Sequence, residues 1–379
     1  MDRDQVIDLP GPQYDPEWNI SRSNIKYWIT APADGLNNST GLVVFLPGYG
    51  MPGDGVYPRK FRTFISDKYN CCVASVHVNK CFEFKNAQPA PDFYKNIKLH
   101  YGEHGVAISS SMNGYDLVVA IMRKINQRGI NCLHPDCFFN VVNDEHNSFG
   151  LYPAIDALNV TNDAINRFGL NKGRVFSLGS SYGGYIAGLM LKIAPNTFRM
   201  LIDNSGFVNS DDDLNALYGI NGLSVEGVKI AFHYSNRWSD NPKSINYYSD
   251  SCREVRDLLN INHVKQSETN LFGYHSKYDR LIGYSKKQKL IEVYANKVKY
   301  TQIIIDEKDL DGILYKSLDH GMNASLRRMF EVSYEEYSDR SIKINCVTDF
   351  DLHSKIELQC SDKVYGFFYN KNGMELVVM

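Results

Sequence analysis

Short apolar or β-branched runs bounded by Gly, Pro and Asn alternate along the chain with longer segments whose apolar residues recur three and four positions apart. That alternation predicts parallel strands joined by crossover helices, a doubly wound α/β fold with a mostly parallel sheet. The strand candidates are 25–31, 42–46, 72–78, 174–178, 200–202, 270–274 and 300–305. Helical spacing falls on 115–125, 151–168, 182–193, 284–295 and 322–330. No internal repeat or low-complexity tract interrupts the pattern, which sets aside solenoids and propellers.

Two stretches break the alternation. Residues 80–111 are rich in aromatics, Pro and Gly, and 207–263 carry Tyr218, Phe232, Tyr234, Trp238, Tyr247 and Tyr248 among polar residues. Insertions of this length inside a compact domain are more often lids or binding loops than plain connections. The second is expected to be a lid, with Trp238 and Tyr234 lining a substrate pocket. The tail changes character again, because 341–347, 355–360, 364–369 and 375–379 read as short strands and Asn370-Lys-Asn-Gly373 as a turn. The expected organisation is a main domain over 1–335 and a small antiparallel β appendage over 336–379.

Composition narrows the class. Hydrophobic residues at 43% and charged residues at 22% over 379 positions describe a globular chain able to bury a large core, neither collagen-like nor disordered. Forty-one basic against 43 acidic residues leave a formal charge of −2, so no global basic field recruits nucleic acid or anionic membrane. The opening MDRDQVIDLP lacks a signal-peptide core, and no apolar run approaches the roughly 20 residues of a spanning helix. A cytoplasmic protein without nucleic-acid or membrane partners is expected. Eight Cys lie scattered, as reduced thiols usually do. Cys132-Leu-His134-Pro-Asp-Cys137 offers three potential metal ligands in six residues, but no second pair stands at finger-like spacing, so these read as loop residues and neither metal nor other cofactor is expected.

The chemistry concentrates at one turn. Gly179-Ser180-Ser181-Tyr182-Gly183 is a G-x-S-x-G motif with a predicted strand before it and a predicted helix after it. A nucleophilic serine needs a sharp strand-to-helix turn, where glycines leave room for close backbone approach. Ser181 is therefore the nucleophile candidate, and the Tyr182 N–H, at the positive end of the next helix, is a candidate oxyanion donor. A second donor should come from Leu46-Pro47-Gly48-Tyr49-Gly50, as the N–H of Tyr49 or of Gly50. Downstream, His275-Ser-Lys-Tyr-Asp279 places an acid after a strand, and Asp319-His320-Gly321 places a histidine between the last core strand and a helix. Asp279 is the preferred acid, ahead of Asp203 and Asp306. His320 is the preferred base, with a side-chain type that exchanges protons near neutral pH. His275 is the one rival base, standing before the acid where a base normally follows it.

These motifs, Gly179-Ser-Ser181-Tyr-Gly183-Gly-Tyr with His275-Ser-Lys-Tyr-Asp279 and Asp319-His320-Gly321, resemble the prolyl-oligopeptidase-like branch of the α/β-hydrolases over roughly residues 25–335. More narrowly, the chain is similar to α/β-hydrolase-like proteins of Campylobacter and relatives, often encoded near flagellin-glycosylation genes. The resemblance implies an α/β-hydrolase fold, a Ser181–His320–Asp279 triad, an oxyanion hole at Tyr182 and the Tyr49 region, and a carbohydrate or its acyl ester as substrate. Only about 40 residues precede the strand at 42–46, too few for the propeller usual in the peptidases of that branch. Three readings follow: an esterase acting on carboxylic or carbohydrate esters, a small peptidase or acyltransferase with the same triad, and an inactive accessory protein in glycan modification. The substrate expected of the first is a small-molecule acyl ester or acylated sugar.

Overall fold

The computed structural model describes residues 2–49, 51–77, 88–89, 114–133, 138–140, 148–213, 220–234, 238–244, 246–340 and 346–379. The chain divides into two units, the first made of Met1–Lys80, Ser148–Asp212 and Ser249–Met379, the second of Cys81–Asn147 and Asp213–Tyr248.

The first unit is built on an eight-stranded sheet: β1 (Asp4–Leu9), β2 (Ile25–Thr30), β3 (Gly41–Leu46), β4 (Cys71–Val76), β5 (Val175–Ser180), β6 (Met200–Asn204), β7 (Asn270–Ser276) and β8 (Lys299–Ile305). Their spatial order is β1-β2-β4-β3-β5-β6-β7-β8. β2 runs antiparallel to both β1 and β4, and every pairing from β4 to β8 is parallel. This is the strand order of the α/β-hydrolase fold. All residues of β3, β4, β6 and β7 are buried, as parallel strands covered on both faces require. Helices α1 (Val56–Tyr69), α2 (Leu151–Phe168), α3 (Tyr182–Ile193), α4 (Asp250–Arg256), α5 (Tyr284–Tyr294) and α6 (Leu326–Asp339) accompany the sheet. Two ends show why they stop or start where they do. α2 stops at Gly169 in the left-handed conformation (φ 62°), and α6 starts at Ser325, whose side chain accepts the Arg328 N–H. Among the described residues no helix is long and apolar enough to cross a membrane.

The C-terminal strands β9 (Lys355–Gln359), β10 (Val364–Asn370) and β11 (Gly373–Val378) form an antiparallel sheet. It belongs to the first unit and is fastened to its helices. Asn159 of α2 bonds Met374 at both main-chain N–H (2.8 Å) and C=O (3.5 Å), and the Tyr369 hydroxyl donates to Ile193 O at 2.6 Å. Arg256 on α4, wholly buried, donates to Glu17 Oε1 at 2.9 Å, and Tyr365 on β10 donates to the same oxygen at 2.8 Å. The expected small antiparallel C-terminal sheet is present and packs within the first unit. Of its expected strands, 341–345 lie outside the described residues and Cys346–Val347 form none.

Of the expected loop at 80–111 all but Gln88–Pro89 lies outside the described residues, and the expected lid at 207–263 spans parts of both units. Segments 81–147 and 213–248 fold together as the second unit, while 249–263 belong to the first and hold α4. Ile220–Val225 and Val228–Tyr234 make a hairpin across Glu226 (φ 50°) and Gly227 (φ 79°), the pair of positive angles of a type I′ turn. Val228–Tyr234 then pairs in parallel with Cys132–Leu133 and Phe138–Asn140, and the latter pairs antiparallel with Gln88–Pro89. A helix spans Gly114–Asn126, and Asn126 holds the hairpin turn by donating to Glu226 O at 2.8 Å.

Candidate active site

Ser181 stands between the end of β5 and the start of α3 with φ 54° and ψ −120°, a strained conformation for a residue with a Cβ. The surroundings enforce it. A Cβ on Gly179 would lie 2.1 Å from Gly183 O, and one on Gly183 would lie 2.0 Å from Leu46 O. The motif glycines are therefore contact points between β5, the first turn of α3 and the end of β3. The Ser181 N–H is held by Asn204 O at 2.7 Å across the β5–β6 pair.

The acid arrives from β7. After Ser276 the chain turns, with the Asp279 N–H on Ser276 O, and Asp279 Oδ1 accepts the N–H groups of Leu281 (2.9 Å) and Ile282 (3.0 Å). This fixes the carboxylate and leaves Oδ2 to face His320 Nδ1 at 2.8 Å. His320 Nε2 lies 2.7 Å from Ser181 Oγ. The Asp279 side chain is fully buried while that of His320 is 24% exposed. Burial alone would raise the Asp279 pKa, but the hydrogen bonds from His320 and the Ile282 N–H outweigh it and hold the carboxyl below its ordinary value. With Asp279 accepting at Nδ1, the imidazole carries its proton there and offers the Nε2 lone pair to the serine hydroxyl. This arrangement can abstract the Ser181 proton.

The rival residues have other tasks. Asp203, at the end of β6, accepts from buried Lys287 at 2.6 Å and from the Gly206 N–H at 2.7 Å. Asp306 caps the turn 307–309 by accepting the Lys308 N–H. His275 is fully buried, bonds Ile282 O through Nε2 at 2.9 Å, and lies with Nδ1 3.8 Å from Asp279 Oδ2. Burial first, then the nearby Lys287 ammonium, push the His275 pKa down to about 4.

Tyr182 opens α3, and its ring meets that of Tyr49 edge-on at 5.4 Å. The loop after β3 touches the nucleophile turn, since a Cβ on Gly48 would lie 3.4 Å from Ser180 O and 3.7 Å from Ser181 Cβ. Gly50 lies outside the described residues, as do His134 and Cys137. Tyr234 ends a strand of the second unit, with its side chain outside the described residues. Trp238 departs from the expectation of a pocket wall: its side chain is 1% exposed and packs edge-on against Tyr248, so it presents no surface to a ligand.

Sequence reasoning passed over three residues. Ser276 donates to Leu318 O at 2.6 Å, tying the acid strand to the base loop. A serine three residues before the acid, at a strand end, was its only signal. Phe207 stacks on His320 with ring centroids 6.4 Å apart. Asn204 lies two residues beyond the predicted end of its strand.

Among curated proteins, the UDP-N-acetylmuramate–L-alanine ligase of Caldicellulosiruptor saccharolyticus is 24% identical over 196 residues, which cover 51% of this chain and 41% of the ligase. The chain thus spans less than half the length of that relative. Among solved structures, Est1E from Butyrivibrio proteoclasticus is 11% identical with a TM-score of 0.45, covering 89% of this chain and 100% of that one. A puromycin-hydrolysing peptidase of Mycobacterium tuberculosis is 12% identical with a TM-score of 0.49, covering 89% of this chain and 40% of that one. The chain belongs to the family described as "Protein of unknown function (DUF2920)", whose model matches residues 13–378.

Proposed function

We propose that this DUF2920 chain is a serine hydrolase that cleaves carboxylic esters, acyl esters of carbohydrates among them. The observation that carries the proposal is the unbroken hydrogen-bonded line from Ser181 Oγ to His320 Nε2 (2.7 Å) and from His320 Nδ1 to Asp279 Oδ2 (2.8 Å). In the reaction His320 Nε2 takes the Ser181 proton as Oγ attacks the acyl carbonyl, and Asp279 stabilises the imidazolium. The oxyanion meets the Tyr182 N–H at the positive end of α3, with the Tyr49 region as the second donor. His320 then protonates the leaving alkoxide, the acyl group stays on Ser181, and water activated by the same imidazole releases the acid. The sequence resemblance is what supports acylated sugars as members of the substrate class.

Turnover of a panel of p-nitrophenyl esters and O-acetylated sugars, with Ser181→Ala as the blank, tests the proposal. Saturable hydrolysis that vanishes in the blank supports it. Equal rates in both proteins, or none on any member of the panel, would refute it.

A further inference from the structure

Asn204 touches both halves of the candidate site. It ends β6 opposite Ser180 in the parallel register and is 1% exposed. Its main-chain oxygen holds the Ser181 N–H at 2.7 Å. Its side-chain Nδ2 lies 3.1 Å from Ser180 Oγ and 3.5 Å from Gly321 O. Chemistry fixes the orientation of the amide: Gly321 O can only accept, so the nitrogen must face it, and Oδ1 then receives the Ser205 hydroxyl at 3.4 Å. One side chain thus joins the residue before the nucleophile to the residue after the base.

The base loop needs such a tie. Gly321, Met322 and Asn323 have φ values of 74°, 57° and 41° in succession. Left-handed conformations are unfavourable for a residue with a Cβ and persist only where the surroundings over-determine them. Met322 is anchored by its buried side chain, by its N–H on Asp319 O (2.8 Å), and by its C=O, which accepts from Lys316 and Ser317. Upstream, Leu318 O is held by Ser276 on β7. These contacts fix the loop to itself and to the acid strand. Asn204 adds the link toward β5 and the nucleophile, at the carbonyl next to His320.

We infer that Asn204 is a positioning residue that sets the separation of His320 from Ser181, an inference resting on the serine hydrolase reading. Its main-chain bond to Ser181 survives any substitution, so mutation isolates the side-chain link to the base loop. Asn204→Asp keeps the shape, removes the donor and sets a carboxylate against the Gly321 carbonyl. Asn204→Ala removes the link without adding a charge.

The test measures kcat and KM on the best p-nitrophenyl ester, normalised to the titre of serine reactive toward a fluorophosphonate, together with the labelling rate. Normalisation removes any unfolded fraction. Since a misplacement of about 1 Å can lower a rate roughly 100-fold, kcat and the labelling rate are expected to fall on that order in both variants, with KM within about twofold of wild type. Should Asn204→Asp fail to fold, Asn204→Ala carries the test alone. A normalised kcat and labelling rate at wild-type level in the alanine variant, with or without a lower melting temperature, overturn the positioning role. If wild-type protein itself neither labels nor turns over ester, it is the hydrolase reading that fails.

Discussion

Gly183→Ala probes the packing that shapes the nucleophile turn. The new methyl carbon would stand 2.0 Å from Leu46 O, 2.6 Å from Leu46 C and 2.8 Å from Pro47 O. All three are main-chain atoms, so no side-chain rotation relieves the clash. Real Cβ atoms do not approach closer than 3.0 Å, and 3.0 minus 2.0 leaves at least 1.0 Å by which the end of β3 and the first turn of α3 must part. That movement separates Ser181 from the Tyr49 loop, the two sides of the proposed oxyanion hole. A displacement of this size is worth about 100-fold in rate, and overpacking of this kind costs about 1–3 kcal/mol of stability. The second-order rate constant for fluorophosphonate labelling, measured on folded protein alongside kcat/KM for the best ester, should therefore fall about 100-fold. Gly283→Ala is the control, because its Cβ would meet only Ser285 Oγ at 3.9 Å and its φ of −58° suits any residue. Wild-type labelling by Gly183→Ala would refute the wedge between β3 and the nucleophile turn.

Asp279→Asn should lower kcat by about 10⁴ at nearly unchanged KM, the scale set by loss of the orienting carboxylate in another triad. Asp203→Asn should instead act on stability, since it leaves Lys287 buried beside a neutral partner, costing about 3–5 kcal/mol in urea denaturation; the reverse ranking would transfer the acid role to Asp203. Glu17→Gln should cost a similar amount by stranding Arg256, and an unshifted urea midpoint would show that the buried pair does not fasten the N-terminal segment. His275 gives a pH signature. Its folded pKa of about 4 lies below the ordinary 6.5, so the unfolded chain takes up a proton that the folded chain refuses; the linked stability is complete above about pH 6.5 and declines as pH falls toward 4, by up to about 3 kcal/mol. His275→Asn should flatten that part of the stability curve between pH 7 and 4.5, and an unchanged slope would contradict the assignment.

Much of this was legible in the sequence because the signals were local. Residues 151–168 and 182–193 form helices with the limits their spacing predicted, and the strands around the nucleophile lie where apolar runs meet glycines. The candidate site was suggested for the same reason: Ser181 and Asp279 closely follow strand ends, and the strand order brings those ends together. The helix at Val56–Tyr69 was hidden because only Phe61 and Ile65 carry its buried apolar face, and Pro58 stands in its first turn. β1 was hidden because it buries one residue, Ile7. Of the second unit the helix was legible at 115–125, but its sheet was not: that sheet pairs short segments near 88, 132, 138 and 230, and such pairing is decided by tertiary packing. Trp238 is buried instead of lining a pocket, and an aromatic among polar residues looks alike in either place.

The most direct test of the central claim is to locate the reactive serine. Folded protein is treated with a fluorophosphonate, digested, and the labelled peptide sequenced by mass spectrometry. The account predicts one adduct per chain, on Ser181 and not on Ser180, absent from Ser181→Ala and formed at least 100-fold more slowly in His320→Ala, which lacks the base 2.7 Å from the hydroxyl. No adduct on the wild-type protein, or one on any other serine, would contradict it.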